Sequence, residues 1–309
     1  MLSIQSPRSV VMIRPHHFSP NADTAQDNSF QAHDASRTAR EIAQAAYAEV
    51  THAVERLEAA GITVHLFEDE TTDSPDSVFP NNWFSTHTGG HIALYPMFAP
   101  SRRKERRSDV IELLKQRYRV QDVIDYSGLE YDNVFLEGTG AMVLDHVERV
   151  AYAARSNRCN PVALERFCTH FNFEPIVFDA FDANGQPIYH TNVLMGIGSE
   201  ICLIGLQTIK DEARRAEIAE RLAAGGRRIV ELSHAHIAEF AGNAIELEGR
   251  YGKILVISAR ALRALVPAQR DSLEQVVTLL PLEVPTIELA GGSVRCMIAG
   301  VHLSPRKSA

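Results

Sequence analysis

The feature that most constrains the fold is a unit recurring at intervals of about fifty residues. Five stretches carry it: "VFPNNWFSTHTGGHIALYP", "VFLEGTGAMVLDHVERVAYAARS", "IYHTNVLMGIGSEICLIGL", "EFAGNAIELEGRYGKILVIS" and "IELAGGSVRCMIAGVHL". Anchored on Phe79, Phe135, Tyr189, Phe240 and Leu289, each starts apolar, breaks at small or polar residues, and continues as a short strand, a turn and often a second strand. Such a period marks solenoids, propellers and arrays, where a unit cannot bury its apolar face alone.

Helix-like segments separate the copies at 101–117, 160–171, 209–224 and 259–278, and β-like runs such as "EPIVFDAF" and "RRIVEL" follow them. The unit therefore reads strand, strand, helix, strand. The N-terminal "SVVMIRP", a helix over 34–60 and "ITVHLFEDE" supply the pieces that the last copy lacks. Closing five units in a ring removes most free strand edges. The expectation is an α/β fold, a five-bladed pseudo-symmetric α/β propeller of ββαβ units, with residues 1–309 as a single domain and no Pro/Gly/Ser-rich linker. The segment "HHFSPNADTAQDNSFQAH", residues 16–33, fits neither period. It reads as a substrate-covering loop, with simple disorder as the alternative.

Thirty-nine acidic against 31 basic residues give a formal charge of -8, which argues against phosphate-backbone binding. The one dense basic run, Arg102 to Arg107, reads as the solvated opening of an amphipathic helix continuing through Val110, Leu113, Leu114 and Tyr118. A carboxylate-binding rim is the alternative. No window approaches the roughly 18 apolar residues of a membrane span, and the opening "MLSIQSPRSVVMIRP" lacks a charged segment leading into a long apolar one. A cytoplasmic, unexported protein is expected. Its four cysteines, with no C-x-x-C pair, are expected as free thiols. Neither "PHH" nor "HAH" has neighbours completing a metal site, so no metal and no organic cofactor is expected.

In a propeller the breaks before the first strands converge at the mouth of the axis. In order they carry Asn81 and Asn82, Glu137, His190 with Asn192, Asn243, and Cys296. A thiol, an imidazole and a carboxylate are the parts of covalent catalysis: nucleophile, proton carrier and an anion that can hold a substrate N–H. Taken singly, Cys296 reads as a small core residue, His190 as a structural histidine and Glu137 as a local cap. Their common position in three units favours a shared site.

These motifs, in this order, resemble the guanidino-group-modifying superfamily of arginine deiminases, dimethylarginine hydrolases and glycine amidinotransferases. "FPNNWFS" stands for its F-x-R-D-type motif, "LEGTG" for E-G-G-D, "ARSNR" for S-x-R-T, "HTN" for H-x-D and "GGSVRC" for the glycine-rich segment ending in the nucleophile. The loop and "FPNNWFSTH" look most like the amidinotransferase-related branch that includes citrulline-utilization hydrolases. The resemblance implies Cys296 as nucleophile, His190 as general acid/base and Glu137 on the substrate nitrogens. It also implies Arg158 as a partner for the substrate α-carboxylate, with a solvated surface arginine as the alternative, and Asn82, Asn192, Asn243 and Phe79 as binding residues.

The resemblance breaks where deiminases carry cation-clamping aspartates, because Asn82 and Asn192 stand there, and "EGTG" lacks the final aspartate. Asparagine removes the charge and can donate to a carbonyl oxygen, which a neutral ureido group presents and a guanidinium does not. The expected reaction is hydrolysis of citrulline to ornithine, ammonia and carbon dioxide through a covalent thioester. The alternatives are an arginine or methylarginine deiminase or hydrolase, an amidinotransferase, and a propeller used only for interaction. The expected partner is a small ureido or guanidino amino acid, with no nucleic acid or membrane; a homodimer is compatible with the sequence, which leaves the oligomeric state open.

Overall fold

A computed structural model describes residues 4–306; the first and last three residues of the expected 1–309 domain, including the opening "MLS", lie outside the described residues. It contains five three-stranded sheets. In chain order the inner, middle and outer strands are Phe84–His87, His91–Leu94 and Asp122–Asp125; Met142–Asp145, Val150–Ala154 and Glu174–Phe178; Met195–Ile197, Ile201–Ile204 and Arg228–Glu231; Ile245–Gly249, Gly252–Ser258 and Thr278–Leu282. The fifth sheet combines Ala299–Gly300 with Ser9–Pro15 and Thr63–Asp69, so the two ends of the chain close the ring. In every sheet the inner pair is antiparallel and the outer pair parallel. In the first four sheets a tight turn suffices for the first connection, whereas in all five the second needs a crossover, which the helix of each unit supplies.

The helices form where the apolar spacing places them, and local chemistry sets their ends. The expected 34–60 helix runs Ala39–Ala59, because Thr38 and Glu41 form a reciprocal capping box at its start. It buries Ile42, Ala46, Val50 and Leu57 in one cluster with Val10, Met12, Leu247 and Val256 of the adjoining sheets. Burial of a side chain such as Leu57 contributes about 1.5–3 kcal/mol. The expected 259–278 helix is divided into Ala259–Ala264 and Pro267–Glu274. Pro267 disfavours helical backbone at Val266 and opens a new helix at its own first turn.

The 101–117 segment is also divided, into Pro100–Arg103 and Ser108–Arg117, and here the solvated reading of the basic run is corrected. Arg102 is only 2% exposed and forms a bidentate pair with Glu105 at 2.9 Å through both contacts. Arg106 pairs with Glu130, and Arg103 donates to the Met97 carbonyl. These side chains turn inward to carboxylates that hydrophobic periodicity does not register. Residues 16–33 include the helical turn Ala22–Thr24.

Candidate active site

The inner strands are approached through short turns that carry the polar breaks of the repeat. Pro80–Asn82 precedes the first inner strand, Gly138–Ala141 the second, Thr191–Val193 the third and Val294–Met297 the fifth. In the fourth unit Asn243 follows Phe240, whose φ is 61°. Repetition of this join carries Asn82, Glu137, His190, Asn192, Asn243 and Cys296 to one end of the axis, and all six are buried.

Glu137 organises the charge there. His190 Nε2 donates to its Oε2 at 2.8 Å, the Phe98 N–H donates to Oε1 at 3.0 Å, and Arg102 and Arg158 each approach to 3.5 Å. Burial alone would raise this carboxyl, but Arg158, His190 and Arg102 together hold it well below the ordinary carboxylate range. An ionised carboxylate only accepts, so the His190 proton resides on Nε2. Burial outweighs the pull of Glu137 and lowers His190 to about 4, leaving a neutral imidazole at pH 7.

This has a measurable consequence for stability. Because His190 titrates near 4 in the fold and near its ordinary 6.5 when unfolded, the unfolded chain takes the proton first as pH falls. The His190 contribution is complete above pH 6.5 and is lost between pH 6.5 and 4. Glu105, which burial pushes up against the pull of Arg102, acts with the opposite sign above the ordinary glutamate value. The denaturant midpoint of wild type minus that of His190→Gln is therefore expected to shrink across the pH 6.5 to 4 window. A difference independent of pH would contradict a buried neutral His190.

The sulfur is held by amides. Asn192 Nδ2 donates to Cys296 Sγ at 3.2 Å and Asn243 Nδ2 at 3.3 Å. Asn243 is fixed in turn, donating to the Asn192 carbonyl and accepting from the Arg295 N–H, both at 3.0 Å. The other three cysteines are also free and buried, and burial pushes each thiol up to about 12. Among the described cysteines only Cys296 accepts two N–H donors. Asn192 and Asn243 thus lie beside the sulfur and not on the cavity wall.

Asp76, Phe79, Asn82, Arg102, Arg158, His190 and Cys296 are among the residues lining a cavity of about 10 Å³, to which Thr24 and Asn28 of the 16–33 segment also contribute. Asn28 Nδ2 donates to the Ala290 carbonyl, and Asn21 Nδ2 donates to Asp76 Oδ2. Asp27 receives Arg158 Nε at 2.9 Å and a terminal nitrogen at 2.5 Å, while the guanidinium lies 4.7 Å from the Tyr189 ring centre. Arg158 is therefore buried and paired, not a solvated surface residue. With its amide oxygen toward Arg102, Asn82 accepts at 3.0 and 3.2 Å and donates to Asn81 Oδ1 at 3.2 Å.

Sequence reasoning missed Asp76, Arg102 and Asp27. Arg102 was visible only as part of a basic run, and Asp76 stands three residues before the anchor Phe79 without a pattern of its own. The altered "EGTG" motif has a steric account. A Cβ on Gly140 would stand 2.2 Å from the Asn82 amide and 2.8 Å from His190 Nδ1, so any side chain there would displace both. Gly292 is confined similarly, by the Phe79 ring at 2.8 Å and Cys296 Cβ at 3.3 Å. Among the described residues no group of three histidine, cysteine, aspartate or glutamate side chains is placed to hold a metal ion, and no helix is long and apolar enough to cross a membrane.

Five repeated sheets around an axis are the fold that this chain shares with solved structures of the guanidino-group-modifying superfamily. The chain belongs to the N,N-dimethylarginine dimethylhydrolase family, hydrolases acting on carbon–nitrogen bonds; the model of its eukaryotic members matches residues 14–303. Among solved structures, the N-terminal domain of ArgZ, an arginine dihydrolase of the ornithine–ammonia cycle in cyanobacteria, in a cysteine-to-serine mutant bound to substrate, is 16% identical with a TM-score of 0.71, over 96% of this chain and 99% of that one. A cysteine-to-alanine mutant of AgrE with L-arginine is 17% identical with a TM-score of 0.75, over 97% of this chain but 41% of that longer one. The enzyme of Pseudomonas aeruginosa complexed with citrulline is 14% identical with a TM-score of 0.63, over 95% of this chain and 99% of that one. At these identities the likeness is one of fold. A search of curated proteins found no match.

Proposed function

We propose that this protein hydrolyses a ureido or guanidino α-amino acid, with citrulline as its preferred substrate and ornithine, ammonia and carbon dioxide as products. The observation that carries this reading is the pair of neutral amides, Asn192 and Asn243, on the Cys296 sulfur, with a third, Asn82, on the cavity wall. Neutral amides suit a neutral ureido group, whereas a desolvated guanidinium calls for carboxylate partners.

In this mechanism the Cys296 thiol proton passes to His190 Nδ1 as Sγ bonds to the ureido carbon, whose oxygen takes up the negative charge. Collapse breaks the bond to the ornithine-side nitrogen, which receives the proton carried by His190 Nδ1, while Nε2 keeps its own on Glu137. A carbamoyl group stays on sulfur. Water activated by His190 then cleaves the C–S bond, and the carbamic acid released decomposes to carbon dioxide and ammonia. Glu137 orients the imidazole and stabilises its charged form during the transfers. Arg102 and Arg158 suit the substrate α-carboxylate. Asp76, a buried carboxylate whose Oδ1 has no partner among the described residues, suits the α-ammonium. A cavity of about 10 Å³ admits little more than a water. Residues 16–33 therefore act as a lid, released when Asp27 yields Arg158.

A second reading is favoured by the anionic Glu137, which can pair with a cation: arginine is converted to citrulline with loss of ammonia, and citrulline is then processed as above. The structural likeness to arginine dihydrolases supports it. Purified protein incubated separately with citrulline and with arginine, assayed for ornithine, citrulline and ammonia, separates the readings. Ornithine from citrulline alone is expected; ornithine from arginine establishes the second reading. Citrulline accumulating from arginine without ornithine would overturn both.

A further inference from the structure

On the axis a second cavity, of about 50 Å³, is walled by residues of all five inner strands. That is room for a few non-hydrogen atoms. Gln5 helps to close its far end, donating to the Leu144 and Ile197 carbonyls at 3.0 Å and accepting from the His146 N–H. Arg295 lines this cavity while its neighbour Cys296 lines the other. The turn Val294–Met297 thus presents a cation to one compartment and a thiol to the next.

Arg295 is unusual among the interior cations. Arg102, Arg158 and Arg227 are each paired with carboxylates, whereas among the described residues Arg295 has no ion pair and its one side-chain hydrogen bond runs to the Ile298 carbonyl at 2.9 Å. Burial lowers it to about 10, still a cation at pH 7. His146 and His302 also line the cavity, stacked with ring centres 3.8 Å apart, and the Nδ1 atom of each is buried without a partner among the described residues. The wall carboxylate, Glu246, is turned to Ser6 and Ser199 and forms no ion pair with Arg295. Glu246 Oε2 has no partner among the described residues, and burial keeps His146 and His302 neutral, so Arg295 is the cation of this wall.

We propose that this axial cavity is a binding site for a small planar oxyanion, of the size of bicarbonate, formate or nitrate, held by the Arg295 guanidinium with His146 and His302 beside it. The planar fork of arginine matches such an anion with two parallel N–H donors. Occupancy also removes the positive charge behind Cys296, so the anion slows thiol chemistry without entering the active site.

The test titrates wild type with sodium nitrate at constant ionic strength, balanced with sodium gluconate, and follows both the thermal midpoint and the rate of Cys296 alkylation by iodoacetamide. A saturable rise in midpoint with a matching fall in alkylation rate is expected. Arg295→Met should lose both responses, and Arg295→Lys, which keeps the charge but not the fork, should bind about tenfold more weakly. An unchanged response in Arg295→Met would place the anion at Arg102 and Arg158 and overturn the proposal. Absence of any saturable response in wild type would do so as well. If Arg295→Met fails to fold, a crystal structure of wild type in nitrate decides: density for nitrate on Arg295 supports the site, and ordered water alone refutes it.

Discussion

Replacing Cys296 by alanine is expected to lower turnover by at least about four orders of magnitude, because a nucleophile that forms the covalent intermediate has no substitute in its cavity. The thermal midpoint should move by no more than a few degrees. The substitution removes one small buried atom, and the Asn243 amide that faces it remains fixed by the Asn192 backbone carbonyl and the Arg295 N–H. Steady-state assay with citrulline, alongside a melting curve, checks both parts. Substantial residual turnover in a folded variant would remove Cys296 from the mechanism, whatever the substrate.

The second large effect is expected at Glu137. Glu137→Gln keeps the shape but removes the charge that Arg102, Arg158 and His190 share. The neutral amide can no longer stabilise the imidazolium formed when His190 accepts a proton, and kcat should fall by about 10²–10⁴-fold. Stability should also fall, by about 3 kcal/mol, because two buried guanidinium groups lose a common counter-charge. Arg102 retains Glu105 and Arg158 retains Asp27, which keeps the loss at the lower end for a broken buried pair. Denaturant titration measures the stability, and kcat against KM measures the catalysis. A variant with normal kcat and reduced stability would leave Glu137 a structural counter-ion only.

Part of this protein is legible from particular residues. Each break before an inner strand is polar within an apolar stretch, so Asn82, Glu137, His190, Asn192, Asn243 and Cys296 can be selected before any coordinates are known. What each does is less legible. Asn192 and Asn243 read as substrate ligands from their position in the repeat, yet both donate to the sulfur. Arg102 reads as solvated because a helical pattern reports apolar spacing and not the inward turn of a cation toward Asp76, Glu105 and Glu137. The 16–33 segment reads as a covering loop by its composition alone, but its contact with Arg158 runs through a single carboxylate, Asp27, with no signature among its polar neighbours.

The sequence by itself determined the five-fold repeat, the order of strands and helices within each unit, and the closure of the ring by the chain's own beginning. Those follow from the periodicity of apolar burial, a local property repeated at every turn of the chain. The tertiary structure alone decided which charges face one another: Glu137 between two arginines and an imidazole, Cys296 between two amides, and Arg295 in ion-pair contact with no carboxylate among the described residues. Electrostatic energies depend on distance and on exclusion of water, and both arise only when residues from different units meet on the axis.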